Sequence, residues 1–265
     1  MSESIQVIKN LFAGIIVACL AFSCGQSTQS KEGAETTKDE PVARYSVTPF
    51  GPSQEYPDAK LQTMEYKEGQ FTFTLSGDSY KLGIQTPDAG SRGCANSADG
   101  QHIHLIVDNL PYAAKYESTF AYDIPDGEHY ILAFLSRSYH ESLKSPDAAI
   151  AVKAVVTNKS FAQVTPISKP MLFYSRPKGT YEGPDTKKVM LDYYLFDSDP
   201  THLVKASING EEHMLDTWQP YAVEGLPAGE NEITLTLVDT SGARVNTDLN
   251  PVTRKFILNP EPPQN

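Results

Sequence analysis

The sequence predicts an all-β protein with two tandem immunoglobulin-like β-sandwich domains. Three observations support this class. Apolar and polar residues alternate with a period of two beyond residue 58, turn residues such as Gly, Pro, Asp and Ser separate the alternating runs, and two segments occur twice along the chain. No stretch after the N-terminal apolar segment shows sustained helical periodicity.

An apolar segment of twelve residues lies near the start of the chain, at 11–22. It is too short to span a bilayer, which takes about 20 residues, and its length matches the apolar part of a secretory signal. Residues 20–24, LAFSC, resemble a bacterial lipobox, in which cleavage falls before the cysteine and the thiol receives a lipid. We therefore expect residues 1–23 to be a lipoprotein signal peptide and Cys24 to be lipidated. An ordinary signal peptide or a spanning anchor is the alternative.

The rest of the chain divides into a tether and two domains. Residues 24–55 are predicted to be the lipidated cysteine and a flexible tether, because residues 25–44 contain almost nothing apolar. Domain 1 is expected at 56–163 and domain 2 at 164–260, since the alternation is lost within 160–169. The predicted strands are 70–75, 80–84, 102–108, 128–135, 149–156, 188–196, 203–209, 232–239 and 252–258.

Two blocks of sequence are duplicated in the same order. Residues 124–131, IPDGEHYI, align with 226–233, LPAGENEI, and residues 103–109, IHLIVDN, align with 204–210, VKASING. The offsets are 102 and 101 residues. This is about the length of one immunoglobulin-like domain, so the chain is predicted to contain a duplicated β unit.

The alternation in the second copy assigns the two faces of the first copy. The residues expected to face inward are Ile103, Leu105, Val107, Ile131, Ala133 and Leu135. The residues expected on the opposite face are His102, His104, Ile106, Tyr130, Leu132 and Phe134. An apolar and aromatic face usually marks a contact surface. This face could bind a ligand. Alternatively, domain 2 or an extra strand from residues 44–61 covers it.

Four of the six histidines lie within 39 residues of one another. His102 and His104 are two positions apart on a predicted strand, so they project to the same side, about 7 Å apart at their Cα atoms. Imidazole nitrogens bind copper and zinc, which makes this pair a candidate metal site with His140, Asp108 or Cys94 as a further donor. The alternative is a set of histidines that form hydrogen bonds in a packed surface, without a cofactor.

Charge bears on the possible partners. Two Ser-Arg elements, Ser136-Arg137 and Ser175-Arg176, place a guanidinium among hydroxyl groups, which suits a carboxylate or a phosphate. The chain has 33 acidic and 22 basic residues, so pairing with its own carboxylates is the alternative. A net charge of −11 argues against nucleic acid as a partner.

Five segments carry a resemblance to a known family. They are LGIQTP (82–87), GQHIHLIVDN (100–109), FLSRSYHE (134–141), FYSRPKGTY (173–181) and EGLPAGE (224–230). With them, residues 56–259 resemble a family of lipoproteins from Gram-negative bacteria, some of which are labelled phosphopeptide-binding proteins. The resemblance implies a two-domain binding protein whose Ser-Arg elements meet phosphate.

The predicted function is that of a non-enzymatic, lipid-anchored binding protein of the bacterial cell envelope, at the outer membrane and either periplasmic or surface-exposed. It is not expected to be an enzyme, because the G-x-S-x-G, H-E-x-x-H, Walker A and G-x-G-x-x-G motifs are missing. A protein or (phospho)peptide ligand is expected on the outer face of domain 1, at His102, His104, Tyr130, Phe134, Arg137 and His140.

Two other functions remain open. A metal-binding lipoprotein would hold Cu or Zn with His102 and His104, and a structural envelope component would bind no ligand. The peptide hypothesis requires that the outer face is exposed. The metal hypothesis requires that the two histidines and a third donor converge, and the structural hypothesis requires that domain 2 buries the face.

Overall fold

The computed structural model describes residues 45–261, which form strands joined by loops and short 3-10 helices. The strands are β1 (Ser46–Pro49), β2 (Lys60–Lys67), β3 (Gln70–Ser76), β4 (His102–Val107), β5 (Ala113–Lys115), β6 (Thr119–Ala121), β7 (Gly127–Ser136), β8 (Ala149–Thr157), β9 (Ser160–Pro166), β10 (Met171–Arg176), β11 (Gly179–Glu182), β12 (Lys188–Phe196), β13 (Leu203–Ile208), β14 (Glu211–Leu215), β15 (Tyr221–Glu224), β16 (Gly229–Val238) and β17 (Val252–Asn259). The 3-10 helices are Ala89–Ser91, Pro146–Ala148 and Gly183–Thr186. No helix in the described range is long and apolar enough to cross a membrane. The predicted signal peptide and Cys24 lie outside the described residues.

Four sheets form two β-sandwiches. In the first, a sheet in the order β2-β3-β6 packs on a sheet in the order β5-β4-β7-β8-β9. In the second, β1-β15-β12-β10 packs on β11-β17-β16-β13-β14. Paired strands are antiparallel except β11 and β17, which are parallel. The predicted all-β class with tandem β-sandwiches is confirmed.

Alternation along the strands places apolar side chains inside each sandwich. In β16, Ile233, Leu235 and Leu237 are fully buried in the second core, while Glu232 between them and the turn is exposed. The residues predicted to face inward in the first copy are all in the first core: Ile103, Leu105, Val107, Ile131, Ala133 and Leu135. Burial of a large apolar side chain contributes about 1.5–3 kcal/mol, so these two cores stabilise the sandwiches.

The duplicated sequence corresponds to a duplicated topology. Ile103 of β4 pairs with Leu135 of β7, and Val204 of β13 pairs with Leu237 of β16. In both sheets this central pair is flanked by a hairpin partner on one side, β5 or β14, and by β8 or β17 on the other. The two copies therefore share a register as well as a sequence pattern.

The outer face of β4 and β7 is buried against the second sandwich. The residues that form this interface core include Ile106, Leu132 and Phe134 from the first sandwich and Met171, Phe173 and Tyr194 from the second. The surface predicted to bind a protein or peptide is therefore an interface between sandwiches, and that prediction is corrected. Strands β10 and β12 cover the face, as the structural hypothesis requires.

Two predicted boundaries also differ from the structure. β1 pairs with β15 of the second sandwich, so residues 46–49 of the predicted tether form a strand, while residues 24–44 lie outside the described residues. β9 pairs with β8, so the boundary predicted between residues 163 and 164 falls inside a strand of the first sandwich. Both strands lie at sheet edges and are mostly exposed, and for this reason neither shows the alternation of a half-buried strand.

The predicted strand at 80–84 is a loop. Tyr80 in this loop is buried in the first core, and its hydroxyl donates to the carbonyl oxygen of Ser136 at 2.8 Å. The other eight predicted runs each overlap a strand. Strand β10 was not predicted, because it is buried on both faces and lacks alternation.

Candidate metal centre

Three histidines converge where the two sandwiches meet. Nε2 of His102 lies 2.8 Å from Nε2 of His104 and 3.0 Å from Nδ1 of His140. The three rings together offer one nitrogen each, all within 4.8 Å of one another. Among residues 45–261, no second group of His, Cys, Asp and Glu side chains converges in this way.

Two elements of the first sandwich position these rings. His102 and His104 flank Ile103 on β4, so burial of Ile103 in the first core directs both imidazoles to the opposite face. His140 lies in the turn after β7, where its amide donates to the carbonyl oxygen of Arg137 at 2.9 Å. Its φ is +69°, a left-handed conformation that costs a residue with a Cβ about 1–2 kcal/mol.

Two of the rings are held by partners on their outer nitrogens. Nδ1 of His102 lies 2.7 Å from the carbonyl oxygen of Gly100, which can only accept, so Nδ1 carries the proton and Nε2 accepts a hydrogen bond from Nε2 of His104 at 2.8 Å. A metal ion would take the place of the proton between these two nitrogens. Nδ1 of His104 lies 3.3 Å from Oγ of Ser175. Position 100 requires glycine, because its φ is +84° and a Cβ there would lie 2.7 Å from the carbonyl carbon of Gly83. Outer contacts of this kind orient metal-binding histidines.

Tyr112 forms one wall of the cluster. Its ring stacks on His104, with centroids 3.6 Å apart and planes at 10°, and its hydroxyl oxygen lies 3.3 Å from Nδ1 of His140. The ammonium of Lys178 lies over the Tyr112 ring, 4.1 Å from its centroid. Because the imidazole occupies one face of the ring, the ammonium lies over the other.

Burial keeps the three imidazoles neutral. It lowers the pKa of His102 to about 4, and it lowers the pKa of His104 and of His140 well below the ordinary value. The positive charges of Arg176 and Lys178 lower all three pKa values further. Neutral imidazole is the form that binds a metal ion.

The nitrogen positions fit a small metal ion. Bonds of about 2.0–2.1 Å to a tetrahedral zinc ion place two nitrogen ligands about 3.3 Å apart. The separations of 2.8 and 3.0 Å are slightly shorter than that, so small ring rotations would open the cluster around an ion. His102 and His104 are fully buried and His140 is partly exposed, which puts the approach of an ion and of a fourth ligand on the His140 side.

The remaining predicted ligand contacts do not reach the cluster nitrogens. Phe134 is fully buried in the interface core, and the hydroxyl of Tyr130 donates to the carboxylate of Asp248 at 2.6 Å. Arg137 donates to the carboxylate of Glu141 at 3.1 Å, so its charge is paired within the protein. The predicted role of Arg137 as an anchor for a ligand is therefore corrected.

Two further donors considered from the sequence lie apart from the cluster. Cys94 packs with Tyr139 and Met190, and burial raises the pKa of its thiol to about 11. The carboxylate of Asp108 lies 2.6 Å from Nδ1 of His129. Of the three candidates for a third donor, His140 is the one that converges with the pair.

Four residues around the cluster have no pattern along the chain that predicts this position: Tyr112, Ser175, Arg176 and Lys178. The Ser175-Arg176 element predicts an anion site, but nothing in its pattern connects it to a histidine 71 positions earlier. The packing of β10 against β4 makes that connection.

No protein-family model matches the chain, and no characterised protein matches its sequence. Similar solved structures include fibronectin(III)-like modules of Clostridium thermocellum CbhA, with 18% identity, 34% of this chain and 97% of that chain covered, and a TM-score of 0.28. The central fibronectin-III array of RIM-binding protein shares 9% identity over 80% of this chain and 72% of that one, with a TM-score of 0.27. The extracellular domain of a putative hybrid two component system from B. thetaiotaomicron shares 11% identity over 76% and 38%, with a TM-score of 0.27. At these TM-scores, function has to be argued from the residues of this chain.

Proposed function

We propose that this protein binds a copper or zinc ion through His102, His104 and His140. The observation that carries the proposal is the convergence of three neutral imidazole nitrogens, with separations of 2.8 and 3.0 Å from Nε2 of His102. Imidazole suits both metals, and partners on the outer nitrogens of His102 and His104 hold both rings, so an ion has only to replace the proton between their Nε2 atoms.

The proposed role is to hold the ion, without catalysis. Two of the three ligands are fully buried, which favours retention of an ion over turnover of a substrate. The sequence also lacks the common motifs of nucleophilic, phosphoryl-transfer and metalloprotease chemistry.

The proposed location is the bacterial cell envelope, at the outer membrane through a lipid on Cys24. Support comes from the apolar segment at 11–22, the lipobox-like LAFSC and the resemblance to Gram-negative lipoproteins. We do not place a protein or phosphopeptide ligand on the outer face of β4 and β7, because the second sandwich covers it.

Calorimetric titration of the purified protein with Zn(II) and Cu(II) tests the proposal. The decisive variant is His102→Ala/His104→Ala, and its matched control is His202→Ala/His213→Ala, which removes two histidines of the second sandwich outside the cluster. We expect one-site binding, micromolar or tighter, in the wild type and the control, and loss of that binding in the cluster variant.

Circular dichroism would verify that both double variants are folded. Absence of metal binding in the wild type, or equal binding by both double variants, would overturn the proposal. The histidines would then be polar members of a structural interface, as the structural hypothesis requires.

A further inference from the structure

Arg176, at the end of β10, is a buried cation without a carboxylate partner. It is 6% exposed, and none of the ion pairs among residues 45–261 includes it. Its Nε atom is buried without a hydrogen-bond partner. A buried charge left unpaired is strongly destabilising, so this guanidinium calls for a counter-charge.

In the other buried Ser-Arg element, Ser136-Arg137, the guanidinium has both a carboxylate partner and hydrogen-bond acceptors. Arg137 is 8% exposed, donates to Glu141 at 3.1 Å, and donates from Nε to the carbonyl oxygen of Gln54 at 2.8 Å. Arg254, which lies near Arg176, also has a buried Nε without a partner, but both of its terminal nitrogens donate to backbone carbonyl oxygens. Within residues 45–261, Arg176 has neither a carboxylate partner nor a backbone carbonyl acceptor, and its polar neighbour is the Tyr181 side chain.

A second cation without an acidic partner lies beside the first. Lys178 is partly buried, and no ion pair among the described residues includes it. Burial lowers the pKa of its ammonium, and the nearby charges of Arg176 and Arg254 lower that pKa further. A chain with 33 acidic residues therefore brings cations together here and provides no carboxylate to neutralise them.

We propose that Arg176 and Lys178 bind a small oxyanion, a carboxylate or a phosphate, beside the histidine cluster. The planar guanidinium offers paired donors to such an anion, and the ammonium adds a point charge on a flexible stem. An aromatic ring covers one side of each cation, since the guanidinium lies 5.3 Å from the Tyr181 centroid and the ammonium 4.1 Å from that of Tyr112. Low exposure strengthens each charge-assisted contact.

The proposed anion site does not require a bound metal ion, but binding at the two sites would be coupled. Lys178 lies on the Tyr112 ring that stacks on His104, and Arg176 directly follows Ser175, whose hydroxyl lies 3.3 Å from Nδ1 of His104. Both positive charges therefore oppose a cation placed at the histidines. A bound anion offsets that repulsion. By linkage, the anion raises the affinity for the metal and the metal raises the affinity for the anion by the same factor.

Titration of the metal-free protein tests the anion site separately from the metal site. After treatment with a chelator, the protein is titrated with inorganic phosphate in one arm and with acetate in the other, at constant ionic strength. We expect saturable one-site binding and a rise in Tm for at least one of the two, and the preferred arm identifies the chemical class of the ligand.

Arg176→Met is the main variant, because it keeps an apolar side chain of similar length and removes the charge. We expect it to bind the anion at least about tenfold more weakly, a difference of about 1.4 kcal/mol. In anion-free buffer its Tm should equal or exceed that of the wild type, because an unpaired buried charge has been removed. Lys205→Gln, which removes a charge on β13, is the matched control and should bind like the wild type.

Two results would overturn the proposal. One is the absence of saturable binding of both anions to the wild type. The other is unchanged binding by Arg176→Met, or by Lys178→Gln if Arg176→Met does not fold. A lowered Tm of Arg176→Met in anion-free buffer, together with unchanged anion binding, would assign Arg176 a purely structural role. None of these outcomes depends on metal binding, so failure of one site leaves the other testable.

Discussion

The Nε2 atoms of His102 and His104 lie 2.8 Å apart, although their Cα atoms are two positions apart on one strand, about 7 Å. A hydrogen bond joins the two nitrogens, and aromatic rings flank the pair: Tyr116 lies 5.0 Å from the His102 ring, and Tyr112 stacks on His104 at 3.6 Å. The two nitrogens are thus close together before any ion arrives, and an ion would replace the proton between them. Such preorganisation reduces the entropy that ligands lose on binding.

His104→Phe should abolish metal binding and leave the fold intact. The phenyl ring keeps the volume and the stacking on Tyr112, but it removes the ligand nitrogen. Loss of a direct ligand should exceed the about 10–100-fold loss typical of an outer-shell contact. Calorimetric titration with Zn(II) measures the affinity and a thermal melt checks the fold. Wild-type affinity in this variant would remove His104 from the site.

Ser175→Ala should weaken metal binding by about tenfold, because its hydroxyl lies 3.3 Å from Nδ1 of His104 and helps to orient that ring. Ser145→Ala is the control, since the Ser145 hydroxyl is buried without a hydrogen-bond partner. Equal affinities of the two variants would show that β10 does not contribute to the metal site.

His140 should tolerate asparagine better than alanine. Its φ of +69° lies in the left-handed region, which asparagine adopts more readily than other residues with a Cβ. Both His140→Asn and His140→Ala should lose metal affinity, but urea unfolding should show His140→Asn to be the more stable variant. The opposite order of stability would contradict the left-handed turn at this position.

The metal-free protein should lose stability as the pH falls from neutral to about 5. The pKa of His102 is lowered from 6.5 to about 4 by burial, and the pKa values of His104 and His140 are also lowered. Below pH 6.5 the unfolded chain takes up protons that the folded protein does not, so the free energy of unfolding decreases with falling pH. Each histidine that stays neutral contributes about 1.4 kcal/mol per pH unit.

Urea unfolding of the metal-free protein over this pH range measures the slope. His102→Gln/His104→Gln should flatten it, and His202→Gln, outside the cluster, should not. A slope that is equal in all three proteins would show that the cluster histidines do not resist protonation in the folded state.

Phe173→Ala should reduce the free energy of unfolding by about 3–5 kcal/mol, because Phe173 is fully buried between the sandwiches. Met214→Ala, at an exposed position, should change it by no more than about 0.5 kcal/mol. Thermal unfolding monitored by circular dichroism provides both values. A small effect of Phe173→Ala would indicate that the interface is not a stabilising core.

Much of the fold follows from the sequence because burial on one side of a strand produces alternation. The inward set on β4 and β7, the duplication and the shared direction of His102 and His104 all depend on that local pattern. The sequence did not decide which of His140, Asp108 and Cys94 is the third metal donor. Ladder pairing of His102 with Ser136 brings the turn that carries His140 beside the histidine pair, and this selects it.

The charge partners of the two Ser-Arg elements could not be predicted from the local sequence. Arg137 meets a carboxylate four positions later, whereas Arg176 meets two tyrosines and another cation, although both elements look alike along the chain. The sequence alone thus establishes tandem β-sandwiches and a histidine pair on one outer face. Whether that face is open, and which charges surround it, depends on how the second sandwich packs against the first. Packing of this kind joins residues distant in sequence, and no periodicity within a strand records it.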